Sequence, residues 1–123
     1  RHPPLKIQIE KLREIYGENT KIVQINKVFK SAREVYEEIK ILGANVAVIV
    51  LPLSMIAELT KHKDITWLWA EMKALHLCVL EACHEFNPET DVWLPLRGSN
   101  KGRHMRFQKF KKIIKVEMVL EDL

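Results

Sequence analysis

Arg103, His104 and Arg106 follow directly on Gly98-Ser99-Asn100-Lys101-Gly102, a run whose glycines and small polar residues predict a flexible loop able to fold over a ligand. An arginine fork meets two phosphate oxygens at once, and a neighbouring histidine can supply a hydrogen bond or a proton. The trio therefore reads as phosphate chemistry. It belongs to a longer basic segment. From Arg97 to Lys115 there are eight basic residues (Arg97, Lys101, Arg103, Arg106, Lys109, Lys111, Lys112 and Lys115), one histidine and no acid. The chain has a formal net charge of +4, so with those eight cations set aside the rest carries −4. Solubility would be served by any distribution of charge, and a positive field confined to one stretch points to a polyanionic ligand. Lys109, Lys111 and Lys115 share one face of a predicted final strand, where a solvated edge is their ordinary role.

A second constellation is His76, Cys78, Cys83 and His84, all of them zinc-ligand types. Their spacing, H-x-C-x4-C-H, matches neither the paired C-x2-C nor the H-x3-5-H arrangement. In a helix over residues 75–86 the two cysteines would also point in different directions. Two buried structural thiols are the competing reading, and no metal is assigned. Trp67, Trp69 and Trp93 could stack nucleobases, but Trp67 and Trp69 lie two apart on a predicted strand and share one face, which favours core packing for that pair. No P-loop, G-x-G-x-x-G, nucleophile elbow or H-E-x-x-H motif occurs, and no cofactor is expected.

Elements able to position these residues fit a chain of 123 residues with 47% hydrophobic side chains, enough for one compact domain with a real core. The longest apolar stretch, Ala44 to Leu53, falls well short of the roughly 20 residues of a membrane helix. No secretory leader is evident and two cysteines are too few for a disulfide framework, so a reducing, cytoplasmic setting is expected. Leu5, Ile9, Leu12 and Tyr16 recur at helical spacing between Pro3-Pro4 and Gly17, and a helix is expected there. The alternating Ile and Val of Lys21 to Phe29 predict a strand. Ser31-Ala32-Arg33-Glu34 has capping-box spacing, and Val35, Ile39 and Leu42 continue a second helix to Gly43. Ala44 to Leu51 is apolar on both faces, the pattern of a central strand covered by helices on both sides. Pro52-Leu53-Ser54 turns into a short helix, and Ile65 to Met72 predicts another strand. Leu75 to Phe86 could be a helix, and the alternation of Lys109 to Asp122 predicts a closing C-terminal strand. Helix–strand alternation argues for a mostly parallel, Rossmann-like α/β sheet flanked by helices, and a strand preceding Arg1, if there is one, would be its first.

In such a sheet, ligands bind beyond the carboxyl ends of the strands. Arg1-His2-Pro3-Pro4 would be one exit loop. Pro52, Leu53 and Ser54 would be another, offering backbone N–H groups, a hydroxyl and a helix dipole to an anion. Glu71 would place a carboxylate beside them. The ordinary alternatives are a frayed terminus for Arg1-His2, an N-cap for Ser54 and a surface ion pair for Glu71.

The start Arg1-His2-Pro3, the apolar stretch running through Leu51-Pro52-Leu53 into a short helix, and the small α/β size together resemble the small accessory CRISPR-associated proteins related to CARF domains. The threonine and first strand that precede this motif in that group are not in the sequence. The likeness spans most of Arg1 to Leu59, and the segment from Lys73 to Arg106 has no counterpart in it. The resemblance implies a homodimer that binds cyclic oligoadenylate and, in the ring-nuclease members, cleaves it without metal to a 2′,3′-cyclic phosphate. On that reading Arg1 with Arg103 or Arg106 neutralises the phosphorane, Ser54 holds a phosphate oxygen, and His2 or His104 moves the proton. Pro52, Leu53, Glu71, Lys101 and Arg106 would line the ligand. A non-catalytic module binding cyclic nucleotide or RNA through the same basic segment is the alternative.

Overall fold

The computed structural model describes residues 3–117 and 119–123; Arg1, His2 and Met118 lie outside the described residues. By its internal contacts the chain divides into two compact units, one of residues 1–26 and 71–109, the other of residues 27–70 and 110–123.

In the second unit, helix α2 (Ala32–Ile41) starts where the sequence signals it: the Ser31 hydroxyl accepts the Glu34 N–H at 3.2 Å. Strand β1 is short, Val46–Val48, and pairs in parallel with the start of strand β2 (Thr66–Val79), Val46 opposite Thr66. Between them runs the seven-residue helix α3, Leu53–Leu59. Val35 and Ile39 of α2 pack with Ile49, Ile56, Leu59, Ile65 and Trp67 into the core of this unit. Leu59 is wholly buried, which contributes about 1.5–3 kcal/mol relative to leaving such a side chain in water. Trp67 is also buried, its indole N–H donating to the His62 carbonyl at 3.0 Å, whereas Trp69 stays nearly half exposed. The shared face of this pair therefore does not make both tryptophans core residues.

In the first unit, helix α1 (Lys6–Tyr16) buries Gln8 and Leu12, and the Gln8 side-chain oxygen accepts the Leu5 N–H at 3.0 Å. Gly17, at φ 110°, ends it where a side chain would be strained. The rest of this unit is built from the far half of β2, a 3-10 turn at Leu80–Ala82, strand β3 (Asp91–Pro95) and strand β4 (Lys101–Lys112). β3 and β4 form an antiparallel hairpin in which Asp91 faces Arg106 and Trp93 faces His104.

The strand order is β1-β2-β4-β3, with β1–β2 the single parallel pair. The expected mostly parallel, Rossmann-like (CARF-like) sheet is thereby overturned. A parallel neighbour needs a long crossover, usually a helix, and after α3 the chain supplies none: residues 80–90 between β2 and β3 hold only a 3-10 turn, and β3 and β4 are joined by the short turn 96–100, which suits antiparallel pairing. The stretch from Ala44 to Leu51 is not a central strand either. β1 stands at the end of the strand order, with Val48 and Val50 exposed. The alternating residues 21–29 form no strand among the described residues. The closing strand lies upstream of its expected place, at Lys101–Lys112 rather than from Lys109 to Asp122; beyond it the Ile113 N–H still donates to the Trp67 carbonyl at 2.8 Å. Residues 75–79, expected as helix, continue β2.

Candidate functional site

That last correction reshapes the chemistry. On a strand, residues two apart share a face, so His76 and Cys78 of β2 point the same way, as do His104 and Arg106 of β4. The 3-10 turn after β2, with the Cys83 N–H donating to the Leu80 carbonyl at 3.3 Å, returns Cys83 to Cys78. The two are joined as a disulfide, with Cα atoms 5.3 Å apart. The Trp93 indole N–H donates to the Cys78 carbonyl at 2.9 Å and ties β3 to the end of β2.

At the centre is Asp91, whose side chain is wholly buried at the start of β3. Its carboxylate accepts from Arg106 Nε at 2.8 Å, Arg106 Nη2 at 3.0 Å, Thr90 Oγ1 at 2.7 Å, the Asn87 N–H at 3.0 Å and His104 Nε2 at 2.6 Å. Burial is the largest single influence on this carboxyl and by itself raises its pKa. The hydrogen bonds from Arg106, the Asn87 amide, His104 and Thr90 together outweigh it and hold the group well below the usual carboxylate range. An ionised carboxylate only accepts, so His104 carries its proton on Nε2. The other nitrogen, Nδ1, faces His76 Nε2 at 3.4 Å. The two rings meet edge to face, 4.9 Å between centroids, and the Phe86 ring lies 5.1 Å from His104. Arg106 Nη2 also donates to the Glu85 carbonyl at 3.1 Å, holding a residue whose φ of 59° is unusual for a side-chain-bearing residue.

His104 and Arg106 are therefore brought together, but by Asp91. The expected flexible loop is corrected: all three residues lie on β4, with His104 wholly buried, Arg106 held in an internal ion pair with Asp91 and Arg103 exposed. The turn before them is closed, the Leu96 N–H donating to the Lys101 carbonyl at 3.1 Å and the Lys101 N–H to Ser99 Oγ at 3.1 Å. Gly98, at φ 76°, takes its left-handed position. Gly102 serves close approach, not mobility: a Cβ there would collide with the Trp93 indole and stand 2.7 Å from the Leu94 carbonyl oxygen.

Arg103 and Lys101 point outward and are exposed, as is Arg97 in the turn. Glu71 is half-buried on β2. Pro52, Leu53 and Ser54 belong to the other unit, all exposed. Pro52 caps α3 without a side-chain hydrogen bond, so Ser54 sits inside the first turn instead of capping it. Arg1 and His2 fall outside the described residues. Reading the sequence missed Asp91 altogether and took His84 for the second histidine of the cysteine cluster. The available signal was the i, i+2 pairing of His76 with Cys78 and of His104 with Arg106. Among the described residues no helix is long and apolar enough to cross a membrane. Compared with known proteins, the chain matches no family model, no curated protein and no solved structure.

Proposed function

We propose that this chain is a binding module for phosphodiester-linked ribonucleotides, single-stranded RNA or cyclic oligoadenylate, engaged through the β3–β4 turn and the outward side of β4. The observation that carries this reading is the division of the basic segment into two kinds of cation. Arg97, Lys101 and Arg103 are exposed and make no ion pair among the described residues, whereas Arg106 is committed to Asp91. Cations without an internal partner can neutralise phosphates and release their counterions, which drives association and makes it salt-dependent.

Binding is favoured over cleavage by the state of His104. A general acid or base must reach the substrate, and this ring is wholly buried with Nε2 given to Asp91. Cleavage of a cyclic oligoadenylate would then rest on Arg1, His2 and Arg103, without His104 or Arg106. A ring bound across a two-fold axis would also require a homodimer.

The test is titration with labelled single-stranded RNA and with cyclic tri-, tetra- and hexa-adenylate, with the products followed by chromatography. Salt-sensitive binding of one of these ligands without linear products is the expected result. Linear products from a ring would establish a ring nuclease instead, and failure to bind any of the ligands would overturn the reading.

A further inference from the structure

Four potential metal-ligand atoms converge beneath the hairpin: His76 Nε2, His104 Nδ1 and the Sγ atoms of Cys78 and Cys83, all within 4.8 Å of one another. His76, Cys78 and Cys83 come from the end of β2 and the turn after it, and His104 joins them from β4, 28 residues from His76, so the fourth ligand is supplied by the fold and not by local sequence. A tetrahedral zinc with Zn–N of about 2.0–2.1 Å and Zn–S of about 2.3 Å sets its ligand atoms roughly 3.3–3.8 Å apart. The two ring nitrogens, at 3.4 Å, already stand at that spacing. The cysteines are separated by four residues that include the 3-10 turn, within the short spacing that lets two thiolates grip one ion.

The orientation of His104 is the second, independent observation. A ligating histidine commonly donates its other ring N–H to a carboxylate, which fixes the tautomer and turns the free lone pair to the metal. Here Nε2 donates to buried Asp91 at 2.6 Å and Nδ1 faces the cluster. Arg106, Thr90 and Asn87 hold that carboxylate in turn. An aspartate so thoroughly fastened is more than a lone buried histidine requires, and it suits a histidine that must be aimed.

We infer that His76, Cys78, Cys83 and His104 form a Cys2His2 zinc site in the reduced protein, with Asp91 as the group that orients His104, and that the Cys78–Cys83 disulfide is its metal-free, oxidised alternative. Two thiolates and two imidazoles select zinc among the common divalent ions, and four protein ligands leave no open position, so the ion is structural and not catalytic. The conversion balances with a thiol reductant. Exchange with two reductant thiols opens the Cys78–Cys83 bond and yields the oxidised reductant. Zinc binding to the freed pair then releases two thiol protons.

The experiment uses the full chain, reduced with excess dithiol, desalted without oxygen and titrated with Co2+. One equivalent giving the visible bands of a tetrahedral site with thiolate-to-metal charge transfer, displaced by one equivalent of Zn2+, is the expected result. Both thiols should become protected from a disulfide-exchange reagent when zinc is added. Because His104 is wholly buried and its loss also disturbs the fold, the deciding variant is His76→Ala at the surface, expected to weaken binding at least tenfold, while His84→Ala leaves it unchanged. Absence of tetrahedral bands in the reduced protein, or dependence on His84 in place of His76, would overturn the site.

Discussion

His104 donates from Nε2 to Asp91 Oδ2 at 2.6 Å, and neither side chain retains any exposure to solvent. The pair explains why a histidine inside a run of cations does not reach a phosphate, and why Arg106, two residues on, is turned inward as well. The basic segment is consequently two-sided. Its inward residues hold the fold of the hairpin, and its outward residues Lys101 and Arg103, with Arg97 in the turn, carry the field.

Removing the buried carboxylate leaves wholly buried His104 and partly exposed Arg106 without their partner. Asp91→Ala is expected to cost about 3–5 kcal/mol, the usual penalty for breaking a buried pair by deleting one member. Urea unfolding of the variant and the wild type measures it. A loss below about 1 kcal/mol, typical of a surface position, would mean that the network is not structural.

Gly102 allows the Trp93 indole to lie against β4 and brings the chain close to the Leu94 carbonyl. Gly102→Ala is expected to destabilise by about 1–3 kcal/mol, since a backbone oxygen at 2.7 Å cannot swing aside as a flexible side chain can. Thermal unfolding followed by near-ultraviolet circular dichroism, which reads the Trp93 environment, would register both the lower Tm and the altered packing. An unchanged Tm would refute the close-approach argument.

In the other unit, Asp64 accepts from Tyr36 Oη at 2.6 Å and from Lys40 Nζ at 2.9 Å. These two hydrogen bonds, Tyr36 first, lower its pKa from 3.8 to about 2. A carboxyl lowered on folding stabilises the native state above its unfolded value, and that contribution is lost as pH falls through the folded value. The stability difference between wild type and Asp64→Asn should therefore be constant near neutral pH and shrink between about 3.8 and about 2. Acid unfolding curves of the two proteins test this; a difference that grows as pH falls would contradict the sign. Lys40 and Asp64 are exposed, so salt should reduce the effect.

Much of the helical structure was legible in the sequence. Pro3-Pro4 and Gly17 bracket α1, and Ser31 with Glu34 opens α2, because helix ends are local chemistry. Strands depend on partners that are remote in sequence. The alternation of residues 21–29 is genuine but finds no ladder among the described residues, whereas Lys101–Lys112 pairs although its buried face carries Gly102 and His104 instead of a hydrophobic row. For the same reason the cysteine cluster was half-read. His76, Cys78 and Cys83 lie close in sequence, but the histidine that completes it stands 28 residues from His76 and is aimed by an aspartate 13 residues before it. Only the turn from β2 through β3 to β4 brings these together.

The reading that Arg97, Lys101 and Arg103 meet phosphates is tested most directly by the salt dependence of single-stranded RNA binding. Each phosphate neutralised on a single strand contributes about −0.7 to the slope of log K against log salt. The variant with all three changed to Ala should bind more weakly and show a slope shallower by about 2. An unchanged slope and affinity in that variant, with the fold intact, would contradict the account.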